Sequence, residues 1–467
     1  MLAQPAFCLS GPTSNGSSNG SPGTRARHPW LRHTVTPPEP PESKGPCRHA
    51  LASVIGSYPT LKGASSGNVG TSPLHHGEAS ERPMTKVRSL SRWSDLHPLS
   101  DLISTSTGSH SALTLDLSSL DREGVEARRL DLLTVALLAN LLVGVLSDAP
   151  LSVSLPAAPS MLAQLRRGGL FFALAQRRGA VTWQPRGASD LVENWSGAWR
   201  PAMGDKLFVD DAAAAEVDER LYLYANTHRL GQGYFRQYQP GAAMPWLADL
   251  VPVPRDRTLR QVRQDFVASA VEAIIEVLEN VASHAFKRRQ RLDDDWLRPH
   301  GRRAKSMLLC SLTKGGGTAS WDRLHVLAMD NGYGIGRTLR WQHPDATGST
   351  AELLEAVLQR KFLERGIPGH SGRGLWYLHG LSRIAGGAVH VVTEDDQSRD
   401  RHGIQFGFSS PPAEGGSTSW ETAEEIALPV RGTILLLDLA VPSASHGDAA
   451  PMGAEYRALR SVPVPSA

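Results

Sequence analysis

Cysteine, aromatic residues and a charge bias of either sign are all scarce in this sequence. The 467 residues include only three cysteines, Cys8, Cys47 and Cys310, and their spacing fits neither a disulfide framework nor a metal-ligand motif. This usage indicates a reducing compartment, so we expect a cytoplasmic protein. Lysine and arginine number 49 against 46 aspartates and glutamates, a balance that gives no indication of a nucleic-acid partner.

The longest apolar stretch is too short and too polar for a membrane span. It runs from Leu130 to Leu146 and is interrupted by Asp131 and Asn140, whereas a spanning helix needs about 20 apolar residues. We interpret it as a buried helix and expect no membrane partner.

Composition and periodicity divide the chain into five segments. The first is rich in serine, glycine and proline, cannot bury enough apolar surface to offset the entropy of ordering, and contains Met84 as a candidate translation start. The second alternates short strands with helices, which is typical of a small α/β domain. We expect a disordered leader, this small α/β domain, a connecting region, a larger domain and a flexible tail at residues 1–110, 111–183, 184–254, 255–442 and 443–467.

The first chemical cluster lies on a long predicted helix, Leu259 to Phe286. Glu276, Asn280 and His284 are spaced four residues apart, which places them on one helix face. A carboxylate and a carboxamide together suit a magnesium-phosphate site, because magnesium prefers oxygen ligands and a glutamate can activate a hydroxyl or a water. Taken alone, this spacing is far more often that of a solvated helix face.

The second cluster directly follows a predicted buried strand, Leu324 to Met329. Asp330 is followed by Gly332 and Gly334, and glycines allow a ligand to approach the backbone closely. A carboxylate at a strand end can accept hydrogen bonds from the exocyclic amine of an adenine. A plain turn at Asn331 and Gly332 is the alternative interpretation.

The third cluster is a glycine-rich turn that opens another predicted helix. Gly372, Arg373, Gly374 and Leu375 precede a run with helical spacing that ends at Ala385. A helix N-terminus offers free N–H groups and a positive dipole end, which favours a phosphate group. Neither the dinucleotide-binding fingerprint nor the P-loop pattern is present in the sequence.

The order of these clusters resembles the GHKL superfamily of gyrase, heat-shock chaperone ATPases, sensor histidine kinases and MutL. Glu276 to His284 is similar to the family's N box, and the two glycine clusters are similar to its two glycine boxes. Gly432 and Thr433, at the start of a last predicted strand, are similar to its final Gly-Thr motif. The resemblance covers residues 255–442.

This resemblance implies a fold and a set of site residues. The fold would be α+β, with a Bergerat-type ATPase domain in which a mixed sheet carries helices on one face. Asp330 would bind the adenine amine with help from Thr433, Asn280 would hold Mg²⁺, residues 336–371 would form a lid, and Glu276 would be the catalytic residue. The implied cofactor-binding set is Asn280, His284, Asp330, Gly332, Gly334, Gly372, Arg373, Gly374, Leu375 and Thr433.

Within the superfamily, the motifs are most similar to those of the anti-sigma-factor serine kinases. Residues 111–183 are similar in element order to a STAS domain, the partner fold of those kinases. The resemblance implies an ATP- and magnesium-dependent protein that hydrolyses ATP or transfers its γ-phosphate to a Ser/Thr of a regulatory protein partner. An ATP-gated interaction switch with little turnover, a divergent histidine kinase, and a homodimer all remain open alternatives.

Overall fold

Two β-sheets, one parallel and one antiparallel, organise the computed structural model of the protein. The α+β class predicted from the sequence is confirmed. All described residues belong to one compact unit, Gly77–Ala467. The structure describes residues 84–87, 89–99, 103, 113–121, 130–146, 148–177, 179–184, 207–209, 220–225, 227, 245–286, 305–313, 322–342, 344–358, 373–398, 402–409, 419–442 and 449–461.

The smaller sheet has four parallel strands in chain order. Its strands are β1 (Met84–Lys86), β2 (Leu113–Asp116), β3 (Leu151–Ser154) and β4 (Val181–Gln184), and the helices between them are α1 (Leu132–Asn140), α2 (Pro159–Arg167) and α3 (Leu170–Gln176). In β2 and β3, buried leucine and valine alternate with half-buried serine, threonine and aspartate. Because side chains alternate with a period of two residues, the apolar ones all lie on one face of the sheet, against the helices.

The larger sheet has eight strands, and every described strand pair in it is antiparallel. Its spatial order is β11-β10-β9-β12-β8-β7-β6-β5. The expectation of a mixed sheet was therefore wrong for the described strands. The strands are β5 (Leu207–Val209), β6 (Arg220–Ala225), β7 (Ser306–Thr313), β8 (Arg323–Asp330), β9 (Ala388–Glu394), β10 (His402–Ser409), β11 (Ser419–Pro429) and β12 (Thr433–Ala440).

Six further helices accompany this sheet among the described residues. They are α4 (Pro245–Leu250), α5 (Arg257–Asn280), α6 (Ile335–Gln342), α7 (Thr350–Leu358), α8 (Arg373–Ala385) and α9 (Ala449–Ser461). The longest, α5, begins where the side chain of Asp256 accepts a hydrogen bond from the Leu259 N–H at 2.9 Å, a standard N-cap. It ends in a wider π-type turn, Val281–Ala285. None of the described helices is long and apolar enough to cross a membrane.

Helices cover both faces of the larger sheet, not one face as the sequence analysis expected. On one face, α5, α7, α8 and α9 pack on alternate residues of the central strands, such as Val326 and Leu437. On the other face, α1 and α3 pack on the intervening residues, such as Leu327 and Leu436, and share one core with the smaller sheet. Because central strands buried on both faces need apolar residues there, the middle of each strand is a continuous apolar run, Val326–Met329 in β8 and Ile434–Leu437 in β12.

Two predicted segments contain more structure than expected. Met84–Lys86, inside the supposed disordered leader, is an edge strand paired with β2, and Leu90 and Leu96 behind it are buried. The connecting region supplies β5 and β6 to the larger sheet and α4 to its core. These segments contain too few apolar residues to show a period along the chain. They fold nevertheless, because each extends a sheet or a core that other segments build.

The expected flexible tail over 443–467 is wrong for Ala449–Ser461, which forms helix α9. Tyr456 is fully buried and Leu459 is 7% exposed, both against the core beside α5. Arg457 and Arg460 form ion pairs with Asp265 of α5. The buried residues of α9, Gly453, Tyr456 and Leu459, are spaced three apart and form a narrow stripe that packing against α5 stabilises.

Candidate functional site

Glu276 and Asn280 occupy the C-terminal end of helix α5, one turn apart. Glu276 is 6% exposed and Asn280 is half-buried. Neighbouring apolar residues of the helix, such as Ile274 and Val277, are buried in the core, so packing fixes the helix and its polar edge. This spacing confirms that the two side chains project from adjacent turns of one helix. His284 lies in the π-type turn that follows, and its Nδ1 is 2.8 Å from Nε2 of Gln342 at the end of α6.

Asp330 is the last residue of β8 and is 6% exposed. Its Oδ1 accepts a hydrogen bond from the Gly332 N–H at 2.8 Å, and the Thr433 N–H is a second backbone donor to the carboxyl. Burial outweighs these donors and raises the pKa of Asp330 to about 7, because removal from water penalises the charged form. The strand end thus presents a carboxyl group poised near neutrality.

The loop after Asp330 is held against the end of helix α5. The Tyr333 N–H donates a hydrogen bond to the Ala285 carbonyl at 2.9 Å, and a Cβ on Gly332 would lie only 2.0 Å from that same oxygen. Glycine is therefore required at 332 by close approach of two backbone segments. The second sequence cluster therefore contacts Ala285, the residue that directly follows His284 of the first cluster.

Tyr333, the bulky residue between the two glycines, is accommodated in the interior. It is 5% exposed, and its ring packs edge-on against Trp341 of α6 with centroids 4.7 Å apart. Gly334 has a left-handed φ of 78°, which favours glycine. The loop then enters α6, where the Ile335 N–H donates to Thr393 Oγ1 at 2.9 Å.

Helix α8 begins against Glu276 and Asn280. A Cβ on Gly374 would lie 2.7 Å from Asn280 Nδ2 and 3.5 Å from Glu276 Oε2. The backbone at the start of α8, which has N–H groups free of intrahelical partners, therefore faces the polar edge of α5. Leu375 is 7% exposed and belongs to the core. Gly372 and the side chain of Arg373 lie outside the described residues.

Thr433 begins β12 and is paired with Asp330 on one side and with Thr393 on the other. The hydroxyl groups of Thr393 and Thr433 are 3.4 Å apart. Gly432, just before, has a φ of 72°, and a Cβ there would lie 2.4 Å from both the carbonyl and the carboxyl oxygen of Asp330. The turn between β11 and β12 therefore rests directly on the aspartate.

The predicted lid over 336–371 is folded in its described part. Leu353, Leu354 and Val357 of α7 are buried in the core. Arg340 of α6 pairs with Asp396 at 2.8 Å, and the Thr350 hydroxyl donates to Asp395 Oδ1 at the same distance. These contacts attach both helices to the end of β9. Residues 359–371, the rest of the expected lid, lie outside the described residues.

Two further residues of the site, Thr393 and Asn140, were not predicted from the sequence. Thr393, the second-last residue of β9, accepts a hydrogen bond from the Ile335 N–H and donates one to the Gly432 carbonyl; a hydroxyl residue near the end of an apolar run was the available signal. Asn140 reaches the site from the smaller α/β part, and its only signal was a carboxamide interrupting an apolar stretch.

Comparison with known proteins adds no assignment. No protein-family model matches this chain, and no curated protein matches it. Within the described residues, no group of three or more histidine, cysteine, aspartate or glutamate side chains could hold a metal ion. The chemistry available at the site is therefore that of its own groups. They are the buried carboxyl group of Asp330 at a strand end, Glu276 and Asn280 on one edge of α5, and the start of α8 facing them.

Proposed function

We propose that this protein binds ATP with magnesium at this site, through motifs similar to those of the GHKL superfamily. The supporting observation is a series of contacts that links four motifs from distant parts of the chain. Gly332 touches Ala285 in the turn that follows α5, Gly374 touches Asn280, and Thr433 pairs with Asp330. Glycine turns and polar helix faces that occurred by chance would not be expected to contact one another in the folded protein.

In this proposal each contact has a binding role. The ionised carboxyl of Asp330 accepts the adenine amine, and the Thr433 hydroxyl beside it is available for a water-mediated contact. The start of α8 offers backbone N–H groups to the phosphates. Asn280 supplies one oxygen to magnesium, which otherwise keeps waters and phosphate oxygens as ligands.

Glu276 is the proposed general base. It is buried beside the start of α8, so a phosphate held by the helix N-terminus would lie within its reach. The γ-phosphate would pass to water or to a Ser/Thr hydroxyl of a regulatory protein partner, with Glu276 taking the proton of the attacking group.

Titration calorimetry of the full chain tests the binding proposal. With magnesium present, ATP should bind and GTP should bind poorly, because the guanine carbonyl would face the carboxylate. Asp330→Asn should lower ATP affinity by about 1.5–3 kcal/mol, the loss expected for a charge-assisted hydrogen bond. The matched control is Asp438→Asn, at the opposite end of the adjacent strand, where the carboxylate pairs with Arg323.

Equal affinities for ATP and GTP, or equal losses in the two variants, would contradict the adenine assignment. Turnover is followed separately with radiolabelled ATP. Phosphate transferred to a partner in acid-stable form supports the serine or threonine acceptor, and acid-labile phosphate supports a histidine acceptor.

A further inference from the structure

Asn140 ends helix α1 with a buried carboxamide. Asn140 is 1% exposed, and nearly all its neighbours in the helix and in the following π-type turn, Leu141–Val145, are apolar. A buried carboxamide without hydrogen bonds costs on the order of 1–3 kcal/mol. Hydrogen-bond partners within the protein must therefore offset this cost.

Those partners are backbone atoms of the proposed adenine site. Nδ2 donates to the Arg431 carbonyl at 2.8 Å and, at a longer 3.4 Å, to the Asp330 carbonyl. The Arg431 N–H donates to Oδ1 at 3.1 Å. The carboxamide thus pairs with both backbone groups of Arg431, much as a residue of a neighbouring strand would. If Oδ1 and Nδ2 exchanged places, the amide NH₂ group would face the Arg431 N–H and two oxygens would face each other. The hydrogen bonds therefore fix the orientation of the carboxamide.

Arg431 and Gly432 form the turn that rests on Asp330. Gly432 lies so close to Asp330 that a Cβ would overlap its carbonyl and carboxyl oxygens. The next residue, Thr433, gives the carboxyl one of its two backbone donors. A shift of the turn would therefore move the Asp330 carboxyl or remove its Thr433 donor.

A second contact joins the same helix to the same turn. A Cβ on Gly144 would lie 2.8 Å from the Cβ and 2.9 Å from the Cγ of Arg431. Only glycine lets the π-type turn lie this close to the Arg431 side chain. The helix of the smaller α/β part consequently contacts the turn through both hydrogen bonds and packing.

We propose that Asn140 is a positioning residue for the adenine site. The smaller α/β part then completes the nucleotide site, because its helix α1 holds the turn that supports Asp330. This proposal rests on the proposed function.

The test compares ATP with purine riboside triphosphate, which lacks the exocyclic amine, in the folded full-length protein. The parent should prefer ATP. Asn140→Ala should lower ATP affinity about tenfold, the loss of roughly one hydrogen bond, while affinity for the amine-free analogue stays within twofold by the same scale. A residue that mattered only for folding would not change this preference in folded protein.

The matched control is Thr134→Val in the same helix. Thr134 is fully buried, and its hydroxyl bonds Asp131 at the helix start, far along the helix from the turn. The control should lose stability yet keep the preference for ATP. If Asn140→Ala keeps the parent's preference, the positioning role is overturned while the proposed function stands.

Gly144→Ala keeps the test decisive if Asn140→Ala fails to fold. It pushes on the same turn and leaves every hydrogen-bonding group in place, so it should also weaken the preference for ATP. A full preference in this variant would overturn the proposal. A parent that shows no preference between the two nucleotides overturns the proposed function itself, and the two failures are therefore distinguishable.

Discussion

Gly374, at the start of helix α8, lies directly against the side chain of Asn280 on helix α5. The missing Cβ of Gly374 would come within 2.7 Å of Asn280 Nδ2, closer than two such atoms normally approach. This contact sets the distance between the start of α8, the proposed phosphate-binding element, and the carboxamide proposed as the magnesium ligand.

Gly374→Ala should weaken binding of ATP·Mg about tenfold, because overpacking at a tight contact typically costs 1–3 kcal/mol. The added methyl group must displace Asn280 or the helix start. Calorimetry measures the effect. Gly380→Ala in the same helix is the control, since its Cβ would meet only the flexible end of Leu459. Equal affinities of the two variants would show that the contact has no role in binding.

Glu276→Gln should leave ATP binding intact and reduce turnover on the order of 10²–10⁴-fold, the usual contribution of a general base. The substitution keeps the shape of the side chain and removes its basicity. Glu279→Gln, a buried glutamate three residues further along α5, should retain parental turnover. Release of radiolabelled phosphate is the measurement, and unchanged turnover in Glu276→Gln would remove this residue from its proposed role.

Asn280→Ala should weaken binding of ATP·Mg while leaving the affinity for metal-free ATP unchanged. The variant loses an oxygen ligand of the metal, so raising the magnesium concentration should restore part of the affinity by mass action. Calorimetry with magnesium or with a chelator separates the two. An equal loss under both conditions would show that Asn280 acts on the nucleotide and not through the metal.

Asp330→Asn should stabilise the nucleotide-free protein at alkaline pH. The folded-state pKa of Asp330, about 7, lies above the unfolded value of 3.8, so the folded chain holds a proton that the unfolded chain releases. Stability from this group is complete below the unfolded pKa and disappears as pH rises through the folded one, at a cost of at most a few kcal/mol.

Thermal unfolding across this range checks the pH prediction. The melting temperature of Asp330→Asn should exceed that of the parent above about pH 7, and the difference should shrink toward about pH 4. A difference that does not depend on pH would mean that the carboxyl group stays ionised in the folded protein.

Tyr456→Ala should destabilise the protein by about 3–5 kcal/mol, as expected for removal of a buried aromatic ring. The ring packs edge-on against Phe266 of α5 with centroids 5.9 Å apart. Glu455→Ala, its exposed neighbour in α9, should change little. Urea unfolding compares the two variants, and equal stability would return this segment to the flexible tail that the sequence suggested.

Strong periodicity made the central elements predictable. The predicted strand Leu324–Met329 lies within β8, and the predicted helix that ends at Ala385 ends at that residue in α8. In apolar strands and amphipathic helices the pattern of apolar residues shows which face is buried, so the local sequence was sufficient to predict these elements. The ends of predicted helices were less accurate, since α5 changes to a π-type turn at Val281 without a break in its apolar pattern.

The missed elements have their causes elsewhere in the chain. Helix α9 contains only scattered apolar residues, and β1 is three residues long; both depend on surfaces supplied by distant segments. The contact of Asn140 with Arg431 joins residues 291 positions apart, and no local pattern encodes such a pairing. Tertiary packing also placed α1 and α3 over the sheet face that the resemblance left open.

The pairing of α5 with α9 has a consequence for how this protein is made. Ser269 and Tyr456, which lie in contact, are 187 positions apart. During synthesis, the helix that carries Glu276 and Asn280 must therefore emerge with an apolar surface uncovered until the ribosome has translated all the intervening sequence. Domains with such long-range contacts fold slowly and expose aggregation-prone surfaces in the interval. The nascent chain should accordingly depend on chaperones after helix α5 has been synthesised.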